Sequence, residues 1–193
     1  RGTTGCVVER KRPVELTNLY AVGDRRGHRL HVIHTLLDGD ANSEGHHFDP
    51  DLRRGRRNDR GKREKSPYIT PKRLDVLDHL EDHDLLPVIW FVFSRRGCDE
   101  AAEQLERAGA RFTNPAEADR IRAIADERLS GLPTADLAVL DTSAWCNRLE
   151  RGIASHHAGL VPAFKETVEQ CFAEGLVRVV FATETLALGV NLP

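Results

Sequence analysis

The chain has 193 residues, 40% apolar and 30% charged, with a formal net charge of −2 at pH 7. That length suits one domain or two small ones, and that balance suits an ordinary globular protein facing water. No apolar run approaches the twenty or so residues of a membrane helix, and nothing at the start reads as a secretory signal. Methionine is absent and the sequence runs from Arg1 to Pro193, so a piece of a longer protein is expected. Cys6, Cys98, Cys146 and Cys171 lie far apart with no C-x-x-C pair. Reduced thiols in a cytoplasmic protein are expected, and no metal site.

Near the start, two short extended pieces, GCVVER and VELTNLYAV, meet across Lys11-Arg12-Pro13. Residues 29–37 alternate in part and are placed to pair with them. From 38 to 66 the pattern collapses, with almost no apolar residue besides Phe48 and Leu52. Within it, 51–65 carries six arginines and two lysines against three acids, a net of +5 that leaves −7 to the rest of the chain. So polar a run buries too little surface to offset the entropy of ordering, and a flexible basic insertion is expected over 38–66. Two roles stay open for it: a phosphate-tracking arm, or a solvated surface insertion.

Order returns at Thr70 and Pro71, which predict a helix start ahead of Leu74, Leu77 and Leu80, with an end near Asp84. Residues 88–93, VIWFVF, predict a buried strand, and Ser94, Arg95 and Arg96 stand at its carboxyl end. The next helix sets Cys98, Ala101, Ala102, Leu105 and Ala108 inward and stops at Gly109. Two less cleanly patterned helices are expected over 116–130 and 134–150, divided by Gly131-Leu132-Pro133.

Residues 152–193 hold two short strands and one amphipathic helix. The first strand ends at His156 and His157, before the turn Ala158-Gly159. Adjacent strand residues point to opposite faces, so one histidine is expected in the core and the other toward solvent or a ligand. Pro162 suits the first helical turn, Phe164, Val168, Cys171 and Phe172 share a face, and Gly175 suits the cap. Residues 177–182 form a nearly continuous apolar run, the signature of a parallel strand covered on both faces. Thr183-Glu184-Thr185 and Gly189-Val190-Asn191 follow it. Ligands of open α/β sheets bind beyond the carboxyl ends of the strands, which is where these polar groups fall.

HHAGLVP, the helix behind it and FATETLALGVNLP resemble motifs IVa and V of the superfamily-two DExH-box RNA helicases. Within them the nearest likeness is to the branch that feeds the RNA exosome and to its bacterial relatives. LLPVIWFVFSRRGCDEAAEQL resembles the motif IV strand and helix of the same family. The resemblance covers 68–193 well and 1–20 weakly. It implies an α/β fold of RecA-like type, a parallel sheet flanked by helices. Residues 1–20 would then end a first RecA-like domain and lead into the crossover, and 21–193 would form an incomplete second domain carrying the insertion 38–66. The implied function is part of an ATP-dependent RNA helicase that uses ATP and Mg²⁺, contacts single-stranded RNA and works with RNA-degradation machinery. A DNA helicase of the same architecture and a non-catalytic helicase-like RNA-binding scaffold are the alternatives.

Ser94, Arg95, His157, Gly159, Thr183 and Thr185 all follow strand ends on one edge of the inferred sheet. Hydroxyls, an N–H beside glycine and a guanidinium hold phosphate oxygens without reading bases. The resemblance implies that this set lines the RNA path, and that Gly189 and Asn191 approach the nucleotide and couple it to the strand. No G-x-x-x-x-G-K-[ST] loop or acidic DExH box occurs in the sequence, and the arginine-rich motif VI expected after motif V is not in it either. Those groups supply nearly all the positioning and charge stabilisation in phosphoryl transfer, so no catalytic residue is assigned here. The purified chain by itself is expected to release no phosphate from ATP above background, with or without RNA. Turnover that survives active-site controls in a phosphate-release assay would refute this.

Overall fold

The computed structural model describes residues 16–25, 29–48, 66–133, 137 and 140–184. The chain divides into two compact units, Arg1–Leu77 and Asp78–Pro193.

In the first unit, β1 (Leu19–Asp24) and β2 (Leu30–His34) pair antiparallel with Val22 opposite His31, which meets the pairing read from partial alternation. The piece GCVVER lies outside the described residues. Regular structure then continues past Asp38, where the sequence predicts none. β3 (Leu36–Leu37) and β4 (Asp40–Ala41) form a hairpin whose two loop residues, Asp38 at φ 51° and Gly39 at φ 91°, both take positive φ. A type I′ hairpin turn demands this, and Asp-Gly supplies it at little steric cost. Asn42 donates to His34 O at 2.8 Å and accepts from Glu44 N–H at 3.0 Å, leading into a 3₁₀ helix over Ser43–Phe48. The Phe48 ring lies 5.4 Å from His31 and 4.8 Å from Tyr68, centroid to centroid. A cluster of three rings, His31, Phe48 and Tyr68, thus packs the end of the described part of the segment expected to be flexible, while its arginine-rich part, 51–65, lies outside the described residues. β5 (Tyr68–Ile69) completes the sheet in the order β2-β1-β5, with Gly23 opposite Ile69.

α1 (Arg73–Asp82) begins after, not at, Thr70-Pro71. Asp84 closes it in the left-handed region at φ 54°, its N–H bonded to Glu81 O at 3.1 Å while Leu85 N–H reaches Leu80 O at 2.8 Å. These paired bonds satisfy carbonyls that the helix end would otherwise orphan.

The second unit is built on a parallel sheet flanked by helices, the α/β arrangement expected. Its elements run β6 (Val88–Phe91), α2 (Arg95–Arg107), α3 (Pro115–Leu129), α4 (Thr142–Leu149), β7 (Ile153–His156), α5 (Pro162–Ala173) and β8 (Val179–Ala182). The sheet order is β6-β8-β7, all parallel, with Trp90, Phe181 and Ser155 in one row and Phe91, Ala182 and His156 in the next. No residue of β8 is more than 2% exposed. A parallel strand covered by helices has no wet face, so it reads as an unbroken apolar run rather than an alternation.

On one face, Ala154, Val180 and Ala182 join a single core with Ile121, Ile124 and Ala125 of α3, Trp145 of α4 and Phe164 and Val168 of α5. The Trp145 and Phe164 rings stack at 4.3 Å and 20°. On the other face α2 lies over β7 and β8, burying Cys98, Ala101, Ala102 and Leu105, the stripe that its spacing predicts. Gly109 and Gly175 take positive φ, 82° and 70°, at the helix ends where a cap is expected. α3 starts from a capping box, Asn114 Oδ1 accepting Glu117 N–H and Glu117 Oε2 accepting Asn114 N–H, each at 2.9 Å. The helix predicted over 134–150 is interrupted at Asp141, whose φ of 47° breaks helical geometry immediately before Thr142; Leu137 is helical, and 134–136 and 138–139 lie outside the described residues. Among the described residues no helix is long and apolar enough to cross a membrane.

Phe164→Ala empties the centre of this core and should cost about 3–5 kcal/mol, while Asn114→Ala removes one cap and should cost about 1 kcal/mol. Urea unfolding followed by tryptophan fluorescence measures both. A cap variant as damaging as the core variant would contradict this account of the second unit.

Candidate nucleic-acid interface

Because β6, β8 and β7 run parallel, their carboxyl ends open on one edge. The ladder continues past the strands: Val92 N–H donates to Ala182 O at 2.8 Å, and Thr183 N–H donates to His156 O at 3.3 Å. Three segments thus leave the sheet side by side, with Thr183 in the middle.

Beyond β6, Ser94 is the N-cap of α2 in extended geometry, φ −138° and ψ 145°. Its Oγ accepts Gly97 N–H at 3.0 Å, and its carbonyl accepts Cys98 N–H at 3.1 Å. The glycine is required, since a Cβ at position 97 would lie 2.7 Å from Ser94 Oγ and 2.9 Å from Val92 Cγ1. Arg95 and Arg96 occupy the first turn, which holds no acidic residue to balance the positive end of the helix dipole. Arg96 is drawn along the helix to Glu100, Nε to Oε1 at 2.6 Å. Arg95 is exposed and makes no ion pair among the described residues.

Beyond β7, the two histidines correct the sequence reading. Their side chains do go to opposite faces, but both are buried, His156 at 7% exposure and His157 at 5%. Each finds a carboxylate on the helix it meets. His156 Nε2 lies 2.8 Å from Glu169 Oε1 of α5, and His157 Nε2 lies 3.1 Å from Asp99 Oδ2 of α2. Asp99 Oδ1 also accepts the Ser155 hydroxyl at 2.6 Å, from the residue that shares the His157 face. A buried polar ring is costly unless it is paired, and these carboxylates provide the pairing. Gly159 N–H donates to His157 Nδ1 at 3.2 Å. An accepting Nδ1 puts the imidazole proton on Nε2, facing Asp99. Both ring nitrogens of His157 are therefore committed inside the protein, and the group turned outward from this loop is the backbone around Gly159.

Gly159 and Arg95 meet here. A Cβ at 159 would lie 3.2 Å from His157 Nδ1 and 3.3 Å from Arg95 Cδ, so the residue type permits the two loops to approach. Ser94, Arg95, His157, Gly159 and Thr183 thus converge on the edge that the sequence reading names, with Ser94 and His157 serving local bonds. Thr185, Gly189 and Asn191 lie outside the described residues. Sequence reasoning missed Gly97, Asp99 and Ser155. The available signal for Asp99 was a carboxylate beside Cys98 and one turn before Ala102, at the margin of an otherwise apolar stripe. Cys98 and Cys171 are inert core groups: burial pushes both thiols up, Cys171 to about 12. Among the described residues no group of three or more His, Cys, Asp and Glu is arranged to hold a metal ion.

No family model matches the chain. Curated relatives do. It is 40% identical over 211 residues to a probable helicase HelY of Mycobacterium leprae, and 40% identical over 205 residues to the HelY of Mycobacterium tuberculosis. Each alignment covers 100% of this chain and 22% of the relative, so the chain spans about a fifth of their length. It is also 40% identical over 119 residues to the antiviral helicase SKI2 of Saccharomyces cerevisiae, covering 62% of the chain and 9% of that protein. A chloroplastic DExH-box ATP-dependent RNA helicase of Arabidopsis thaliana is 41% identical over 123 residues. With helicases aligned along its whole length, and a parallel α/β sheet whose strand ends carry the helicase-like motifs, this chain belongs to the superfamily-two DExH helicases.

Proposed function

We propose that this chain supplies part of the RNA grip of an ATP-dependent RNA helicase, through the edge formed by Ser94, Arg95, Gly159 and Thr183. The observation that carries the reading is an exposed Arg95, without an ion pair among the described residues, at an acid-free helix N-terminus and packed beside the Gly159 backbone. A guanidinium, helix N–H groups and a hydroxyl are suited to phosphate oxygens, and none of them reads a base edge. Sequence-independent tracking of a single strand follows. RNA is preferred over DNA as the substrate because two relatives carry RNA helicase in their names. Within this reading, 1–20 ends a first RecA-like domain and 21–193 belongs to the second. Thr185 extends the strand-side edge, and Gly189 and Asn191 couple it to the nucleotide.

ATP and Mg²⁺ are cofactors of the whole protein in this reading. The sequence has no phosphate loop, and among the described residues no metal-ligand cluster is present. No step through the nucleotide is derived from this chain. Relatives named as superkiller complex proteins support a macromolecular assembly, and the family likeness adds RNA-degradation machinery in the cytoplasm as the setting.

Arg95→Ala should weaken binding of single-stranded RNA and reduce the steepness of its salt dependence by about 0.7, one phosphate contact's share. Fluorescence anisotropy across a salt series reads both, and an unchanged slope would remove Arg95 from the interface. Thr183→Val keeps the shape and deletes the hydroxyl, with an expected loss in RNA affinity of about three- to a hundredfold. In the whole protein it should lower RNA-stimulated ATP hydrolysis more than the basal rate. Unchanged affinity with a lowered melting temperature would make Thr183 a packing residue only.

A further inference from the structure

Asp99 lies outside the proposed interface and takes no part in it directly. It sits in the second turn of α2, behind the exposed edge, and its carboxylate accepts from Ser155 Oγ at 2.6 Å and from His157 Nε2 at 3.1 Å. Behind it runs a directed chain: the His157 proton is on Nε2, so Nδ1 is free to accept the Gly159 N–H at 3.2 Å. His157 is 5% exposed and cannot turn to another acceptor without leaving its pocket. The two ends of the chain matter to each other. Asp99 is carried by the helix that begins at Ser94 and Arg95, and Gly159 belongs to the loop that packs against Arg95.

We propose that Asp99 is a positioning residue for the RNA edge: by accepting from His157 Nε2 it fixes the imidazole tautomer whose Nδ1 holds Gly159 against Arg95. The proposal rests on the RNA reading above. It requires an acceptor at position 99 rather than a charge. Without an acceptor at 99, only the Gly159 N–H favours the proton on Nε2, and Nε2 is left buried with no partner; with the proton on Nδ1, the ring N–H would face the Gly159 N–H, donor against donor. Asparagine can still serve, its carbonyl accepting from His157 while its amide donates to Ser155 Oγ.

Nitrogen NMR of the His157 imidazole tests this at pH about 8, above the ordinary histidine range. The unmodified chain should show a protonated Nε2 and a bare Nδ1, together with slow exchange of the Gly159 amide; a protonated Nδ1 overturns the proposal without any variant. In Asp99→Ala the two ring signals should move toward each other, the Gly159 amide should exchange faster, and RNA affinity should fall by about tenfold. Asp99→Asn should restore all three to within about twofold of the unmodified chain, and its failure to do so overturns an acceptor role. Ser155→Ala removes the other bond to Asp99 and should leave the imidazole signals in place; if it moves them as far as Asp99→Ala does, the effect is general loosening and the proposal fails. RNA affinity unchanged in Asp99→Ala but lowered in Arg95→Ala overturns the proposal while sparing the RNA reading. Affinity unchanged in both removes the RNA reading itself, and Asp99's role in RNA binding falls with it.

Discussion

The pairing of β8 between β6 and β7 is the constraint on which the rest of the second unit depends. Its register sets Ala182 level with Phe91 and His156, so the three chains leave the sheet at one height. A slip of one residue between β7 and β8 would turn every side chain of the moved strand to the opposite face. Ser155 and His157 would then point into the apolar core of α3, α4 and α5, and Ala154 would face α2. The apolar content of β8 makes such a slip costly, because both of its faces are fully committed to packing. Precision at the strand ends is thus inherited from a core that has no chemistry of its own.

From that register follows the division of labour between the two adjacent histidines. Alternation sends His156 to α5 and His157 to α2, and each helix answers with a carboxylate. The bonds are not equivalent. His157 has partners at both nitrogens, whereas His156 Nδ1 is buried without a hydrogen-bond partner among the described residues. His157 therefore behaves as a rigid spacer between a helix and a loop. The same economy appears in the glycines: Gly97 lets the N-cap close over Val92, and Gly159 lets one loop lie against the Arg95 stem. Around the periphery, ion pairs such as Arg120–Glu174 and Arg128–Glu166 join helices at exposed positions, where each contributes little.

The exposed edge is electrostatically one-sided. The first turn of α2 places two arginines where a helix favours negative charge, and among the described residues only Arg96 is offset by a neighbouring acid. An arrangement slightly unfavourable for the isolated protein becomes favourable when an anion arrives. This is the physical sense in which the edge suits a polyanion and not a neutral ligand. The HelY relatives align along the whole chain, the segments that build this edge included.

By itself, the sequence determined the elements whose signals are local. The apolar run before Thr183 specified a doubly covered parallel strand, the spacing of Cys98, Ala101, Ala102 and Leu105 specified the buried face of α2, and Gly109 and Gly175 marked helix ends. Asp38-Gly39 carried an equally local hairpin signal, passed over because the polar composition around it argued for disorder. Tertiary structure alone decided what depends on residues distant in the chain. Phe48 becomes an anchor only once His31 and Tyr68 are brought beside it. His157 reads as a ligand-facing residue until α2 delivers Asp99 across 58 positions of sequence. Periodicity says which way a side chain points, but burial and hydrogen bonding depend on what the fold sets opposite it. No spacing rule along one segment can supply that.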